Sequence, residues 1–402
     1  MRRFSCFLVV LLSLCLALPG VASEPDRAPI AKLTASDGKT HSSLGAEVAI
    51  SNGTVFAGAD RQGQEASIYV FERPATGWGD MTQTAELKIP SNNQIYLSLA
   101  IAASGDTVVG SVLGAGPNGY GALYVFEKPA GGWKNMTPTA VLSPTFGDRF
   151  GLNVAIAGDA IVAGDPGCTG NGDFGPGTAL LFQKPAGGWH DMNETAVLSA
   201  SDGYGCDDYG ISVGASGNTI VVGATHDEIV PSSGRVYVFE KPADGWKDMT
   251  QTAELSRLEG YPGDFVGETV AIGGNTVISS LLTPNGHLGI TVFEKPAGGW
   301  RDGTQAATIL QTGWDMAVNP LGTVIATGTD TFTKVNYSVV KVYVEPEGGW
   351  QNTSLPNIRF FGSAGSGLGY GIALSEVTLA AGASGLTVNG HASQGAVFIF
   401  PK

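Results

Sequence analysis

The sequence predicts an all-β fold: a seven-bladed β-propeller of four-stranded antiparallel blades, its ring closed by the N-terminal strand pairing into the C-terminal blade. Three observations carry that expectation. A unit of about 55 residues recurs along the chain, each unit holds four short apolar runs separated by tight turns, and the last unit lacks one run that the N-terminus can supply.

Tryptophan sets the period. Trp78, Trp133, Trp189, Trp246, Trp300 and Trp350 recur at spacings of 55, 56, 57, 54 and 50, within a phrase that reads Glu-Lys-Pro-Ala-Gly-Gly-Trp at 127–133 and again at 294–300. An alternating run stands ahead of each tryptophan, such as Leu123 to Phe126 or Val236 to Phe239, and a seventh copy from Val397 to Phe400 ends the chain. Two more apolar runs precede each of these. Turns as short as Ser51-Asn52-Gly53 separate them, which is hairpin chemistry. A fourth run follows the tryptophan, as in Ala85-Glu86-Leu87.

Lettered A to D from the axis outward, these runs form one meander. Apolar on both faces, it cannot bury itself alone, and radial packing of such sheets around an axis buries both faces. The last unit has A, B and C but no D, while Ile30-Ala31-Lys32-Leu33 reads as a D strand without a unit. Pairing it beside Val397 to Phe400 closes the ring and removes an exposed sheet edge.

Arg2 and Arg3, an apolar run from Phe4 to Leu18 and the small residues Val21, Ala22 and Ser23 read as a secretory signal peptide over residues 1–23. Residues 24–402 are then a single propeller domain, secreted or held in a periplasm or at a cell surface. No later stretch is apolar enough for a membrane span. Loss of the leader leaves 20 basic against 36 acidic side chains, a net charge of −16 that excludes nucleic acid as a partner. It also leaves Cys168 and Cys206 as the two remaining thiols, and an oxidising compartment would join them in one disulfide.

The residues flanking strands A and B carry a resemblance. Phe150-Gly151, Tyr209-Gly210 and Tyr370-Gly371 precede A strands, while Gly58-Ala59, Gly164-Asp165-Pro166, Gly223-Ala224 and Gly382-Ala383 follow B strands. This resembles the FG-GAP repeat of the integrin α-subunit N-terminal propeller and of secreted bacterial proteins, over about residues 30 to 400. The resemblance implies extracellular recognition or adhesion, with calcium held in an Asp-rich A–B loop. Here those turns read Ser51-Asn52-Gly53, Ser216-Gly217-Asn218 and Gly273-Gly274-Asn275, too short and too poor in carboxylates for such a cage.

Chemistry should show as an unrepeated constellation. The five histidines, His41, His190, His226, His287 and His391, have no metal-type spacing, and no phosphate loop, nucleophile elbow or zinc motif appears. The strand order puts D–A and B–C connections on one face, the top. There, between blades three and four, the loops carry Asp165, Asp173, Asp202, Asp207, Asp208, Asp227 and Glu228 without one lysine or arginine. A cation or a basic partner would relieve that repulsion. Calcium is the ion expected, with Asp202, Asp207 and Asp208 as candidate ligands, although no cofactor is required.

The sequence thus reads as a secreted, non-catalytic propeller that binds an extracellular protein or glycan through its top-face loops. Two alternatives stand beside it. The repeated tryptophans could form a lectin-like ring for sugars, their other role being to hold the blades together. A polysaccharide hydrolase or lyase would draw its carboxylates from separate blades.

Overall fold

A computed structural model describes residues 27–61, 65–90, 99–116, 118–147, 149–167, 175–225, 233–286, 288–310, 312–313, 315–328 and 338–401. Seven antiparallel sheets of four main strands each stand around one axis. Blades 1 to 6 run from Val48 to Ile89, Leu99 to Leu142, Val154 to Ser199, Ser212 to Ser256, Val270 to Leu310 and Met316 to Phe361. Blade 7 combines Leu368–Leu374, Leu379–Ala383 and Val397–Phe400 with the N-terminal strand Ala31–Thr34. Ala31 pairs with Ile399 and Leu33 with Val397, so the ring closes as the sequence predicts. The seven A strands touch one another in a closed cycle around the axis.

The local reasons are short-range. Val, Ile and Phe fill the strands because branched and aromatic side chains pack well on a pleated surface. Between strands A and B of blade 1, Asn52 and Gly53 take φ values of +47° and +72°, the pair of left-handed residues that a two-residue hairpin needs.

The core lies between blades rather than within them. Seven apolar clusters each join the facing sides of two neighbours, and six of them contain one repeated tryptophan from the C–D connection. Trp133 of blade 2 packs against Phe56 of blade 1, and Trp189, Trp300 and Trp350 are each as deeply buried as Trp133. The ring therefore wedges into the preceding blade instead of folding back over its own edge.

The same connection clasps its neighbour. Its short arm runs parallel to the preceding blade's D strand, with Met81 beside Leu33, Met136 beside Leu87, Met192 beside Leu142, Met249 beside Leu198, Gly303 beside Leu255 and Thr353 beside Ile309. One residue ahead of each arm, a side-chain oxygen caps that strand. Asp80 accepts from the Lys32 N–H, Asn135 from Glu86, Asp191 from Val141, Asp248 from Val197, Asp302 from Glu254 and Asn352 from Thr308, all at 2.8 or 2.9 Å. A further rung joins blades nearby, where Lys128 meets Glu72, Lys184 meets Glu127 and Lys295 meets Glu240 at 2.6–2.8 Å.

Candidate functional site

D–A and B–C connections meet on the top face, and between blades 2 and 3 they enclose a groove of about 440 Å³. Tyr120 and Phe146 contribute aromatic rings to its lining, and Pro166 and Pro176 stand in the connection that follows strand B of blade 3. Phe146 is 42% exposed. Asp165, at the end of strand B in blade 3, is 7% exposed and belongs to the lining, and its Oδ1 accepts the Arg149 N–H at 2.8 Å. Gly147 sits at φ +128°, and a Cβ there would overlap Asp165 Oδ2, so this loop approaches the carboxylate only as glycine. Two further D–A connections extend the surface, presenting Tyr204 ahead of blade 4 and Leu258 ahead of blade 5.

The described members of the expected acidic cluster have different partners. Asp202 is ion-paired to Arg235, the first residue of strand C in blade 4, and accepts the Tyr237 hydroxyl at 3.1 Å; Arg235 also reaches Glu254 at 3.1 Å. Counter-charge for Asp202 thus arrives from a strand rather than from the loops. Asp207 Oδ2 accepts the Tyr204 N–H at 2.6 Å within its own loop. Asp208 adopts φ +51° and faces Glu268, whose carboxyl is pushed up by burial, with Asp208 adding to the shift and Arg149 opposing it. Among the described residues no three His, Cys, Asp or Glu side chains converge on a common metal position. Asp173, Asp227, Glu228, His226 and His287 lie outside the described residues.

The glycines explain why the repeat reads as it does. Gly45, Gly151 and Gly210 each donate their N–H at 2.9 Å to the carbonyl of a glycine in the second half of strand B in their own blade, Gly58, Gly164 and Gly223. The same glycine also presses on the preceding blade. A Cβ on Gly164 would overlap Gly210, one on Gly223 would overlap Gly267, and one on Gly382 would overlap Gly45. Gly45, Gly210 and Gly267 therefore each sit between two B strands with no room for a side chain. Residues 29–71 and 192–239 match the FG-GAP repeat family. The chain carries FG-GAP repeats. Both matched segments run from one blade's D strand to strand C of the next, so the repeat spans the blade junction that its glycines hold together.

No curated protein matches the chain in sequence. Among solved structures, the WD40 domain of Toxoplasma gondii coronin matches with a TM-score of 0.53 at 10% identity, covering 94% of this chain and 85% of that chain. Likeness at that identity shows the propeller fold alone. No helix among the described residues is long and apolar enough to cross a membrane.

In this FG-GAP propeller the seventh FG position belongs to Leu368-Gly369, with Gly369 at φ +88°, and not to Tyr370-Gly371; Tyr370 is 51% exposed. A bulge between Leu368 and Ile372 displaces the register and hides this from the sequence. Cys206 is a disulfide-bonded cysteine, while Cys168 lies outside the described residues. His41 and His391 are brought to neighbouring loops, because the N-terminal strand belongs to blade 7 and the His41 N–H donates to the Ala392 carbonyl at 2.8 Å.

Sequence reasoning missed a carboxyl pair near the top of the axial channel. Glu47 of blade 1 and Asp315 of blade 6 both stand immediately ahead of an A strand. Burial pushes the Glu47 carboxyl up to about 8, with Asp315 adding, and burial pushes Asp315 up to about 7. A signal was present. The position two residues after the FG glycine reads Glu47, Asn153, Ser212 and Thr269 in blades 1, 3, 4 and 5, a polar column facing an otherwise apolar strand.

Proposed function

We propose that this FG-GAP propeller is an exported, non-catalytic recognition module that binds a basic segment of an extracellular protein in the groove between blades 2 and 3. The observation that carries the reading is Asp165, a nearly buried carboxylate in a groove that also holds the Tyr120 and Phe146 rings. A carboxylate with aromatic neighbours suits a lysine or arginine side chain, whose charge the acid meets and whose stem and cation the rings accept. The exported chain, at a net −16 without residues 1–23, adds long-range attraction for such a partner. Export to an oxidising compartment accords with the half-cystine at Cys206, for which Cys168 is the proposed partner.

The burial of Trp133, Trp189, Trp300 and Trp350 between blades argues against a lectin ring built from the repeat, since a sugar would need an open aromatic face. The test is selection of a displayed random-peptide library on wild-type protein and on Phe146→Ala. Lysine- or arginine-rich peptides should be enriched in a salt-sensitive manner and lost on Phe146→Ala, whose melting temperature should match wild type. Enrichment without basic residues, or unaffected by Phe146→Ala, would remove this reading; glycan binding in a parallel array would replace it.

A further inference from the structure

The bottom face, where the A–B and C–D connections turn, holds a cavity of about 590 Å³ at the mouth of the axial channel. Every blade contributes an apolar residue from the end of its A strand to the lining, and Ile50, Ile156, Ile272 and Leu374 are the largest of the seven. All seven are buried or half-buried, so they form a belt screened from bulk water. Polar groups stand at its rim in blades 1 and 2. The Arg73 N–H donates to the Gly53 carbonyl at 3.1 Å, and Ser51 Oγ donates to the Gly105 carbonyl at 3.0 Å, so the blade 1 turn beside Arg73 abuts the blade 2 turn that carries Ser104. Ser104 Oγ accepts the Gly158 N–H at 3.1 Å, which leaves its own O–H to donate.

Arg73 is the one cation in this lining, and the repeat explains why it has no carboxylate partner. In blades 2, 3 and 5 the equivalent residue, Lys128, Lys184 or Lys295, pairs with the glutamate that follows strand C of the preceding blade. Blade 7 precedes blade 1, and its strand C ends at Phe400 with Pro401 next, so the position that would hold the glutamate is a proline. Glu72 is held by Lys128 at 2.8 Å, and among the described residues Arg73 makes no ion pair.

We propose that this mouth binds an aliphatic monocarboxylate, its chain in the apolar belt and its carboxylate on the Arg73 guanidinium and the Ser104 hydroxyl. A cavity of this size takes an unbranched chain of roughly ten carbons. Charge in the lining selects a single negative charge, because Glu376 of blade 7 stands in the same mouth and would repel a phosphate dianion. Beside Glu376 the exposed Val377 continues the apolar wall outward. The site lies on the face opposite the groove of Tyr120 and Phe146 and does not depend on it.

Calorimetric titration with decanoate, kept below the concentration at which it self-associates and at neutral pH, tests the assignment on wild type, Arg73→Ala and Arg73→Lys. Wild type should bind one decanoate saturably. Arg73→Ala should weaken binding about tenfold, the scale of one hydrogen bond to a charged group, and Arg73→Lys should weaken it less. Acetate, with the same head and no chain, should not compete. Methyl resonances of Ile50, Ile156 and Ile272 should shift as decanoate is added, which locates the chain in the belt. Arg73 is exposed, so both variants should melt with wild type. No saturable binding, equal affinity in Arg73→Ala, or unmoved isoleucine methyls would each overturn the proposal.

Discussion

Trp133 of blade 2 meets Phe56 of blade 1 edge-on, with ring centroids 5.3 Å apart and planes at 81°. The pair shows how the repeat unit acts, because the residue that defines one blade fills a gap in the one before it. Trp133 is 6% exposed, so Trp133→Ala empties an inter-blade cavity and should cost about 3–5 kcal/mol of stability. Urea unfolding measures it, with Leu355→Ala, at a residue 73% exposed, as a near-neutral control. Equal midpoints for the two variants would contradict the wedge role.

Glu345 occupies the position where other blades place Lys128, Lys184 and Lys295 against a preceding glutamate. Burial pushes its carboxyl up and Glu294 adds to the shift, so the ladder here has two like charges face to face. Glu345→Lys should replace repulsion by attraction and stabilise the protein by about 1 kcal/mol or less, as partly exposed pairs do. The gain should shrink at high salt; a lower melting temperature at low salt would refute it.

The carboxyl pair near the channel mouth gives a pH dependence with a definite sign. Glu47 rises from 4.5 to about 8 and Asp315 from 3.8 to about 7 in the folded state, so the folded protein holds more protons than the unfolded chain between those limits. The contribution is fully present below about pH 4 and is lost as pH rises through 7 to 8. Melting temperature should therefore fall by several degrees from pH 6 to pH 9, and Glu47→Gln should flatten much of that slope and raise stability at pH 9. A parallel pH profile in the variant would show that Glu47 does not titrate there.

Pairing Cys206 with Cys168 would close a loop of about 39 residues, worth roughly 4 kcal/mol in the chain-entropy account. Intact-mass analysis after alkylation without reductant should find no modified thiol, and Cys206→Ser should lower the melting temperature. Two alkylated thiols in protein from an oxidising compartment would exclude the bridge.

By itself, the sequence determined the blade count, the strand order and the ring closure. Those follow from a repeated tryptophan phrase, from alternating runs between turn residues, and from the mismatch between a last unit without strand D and the orphan strand at Ile30 to Leu33. Each is a matter of local period, which neighbouring residues reveal. Tertiary structure alone decided what crosses a blade boundary. Trp133 reaching Phe56, Arg235 turning from strand C to Asp202, Tyr120 and Phe146 flanking Asp165, and Glu47 approaching Asp315 from five blades away all join residues that are far apart in sequence or belong to different elements. Blade twist and the closed ring fix which side chains face one another, and a bulge of the kind between Leu368 and Ile372 shifts a register without changing the composition that a reader of the sequence sees.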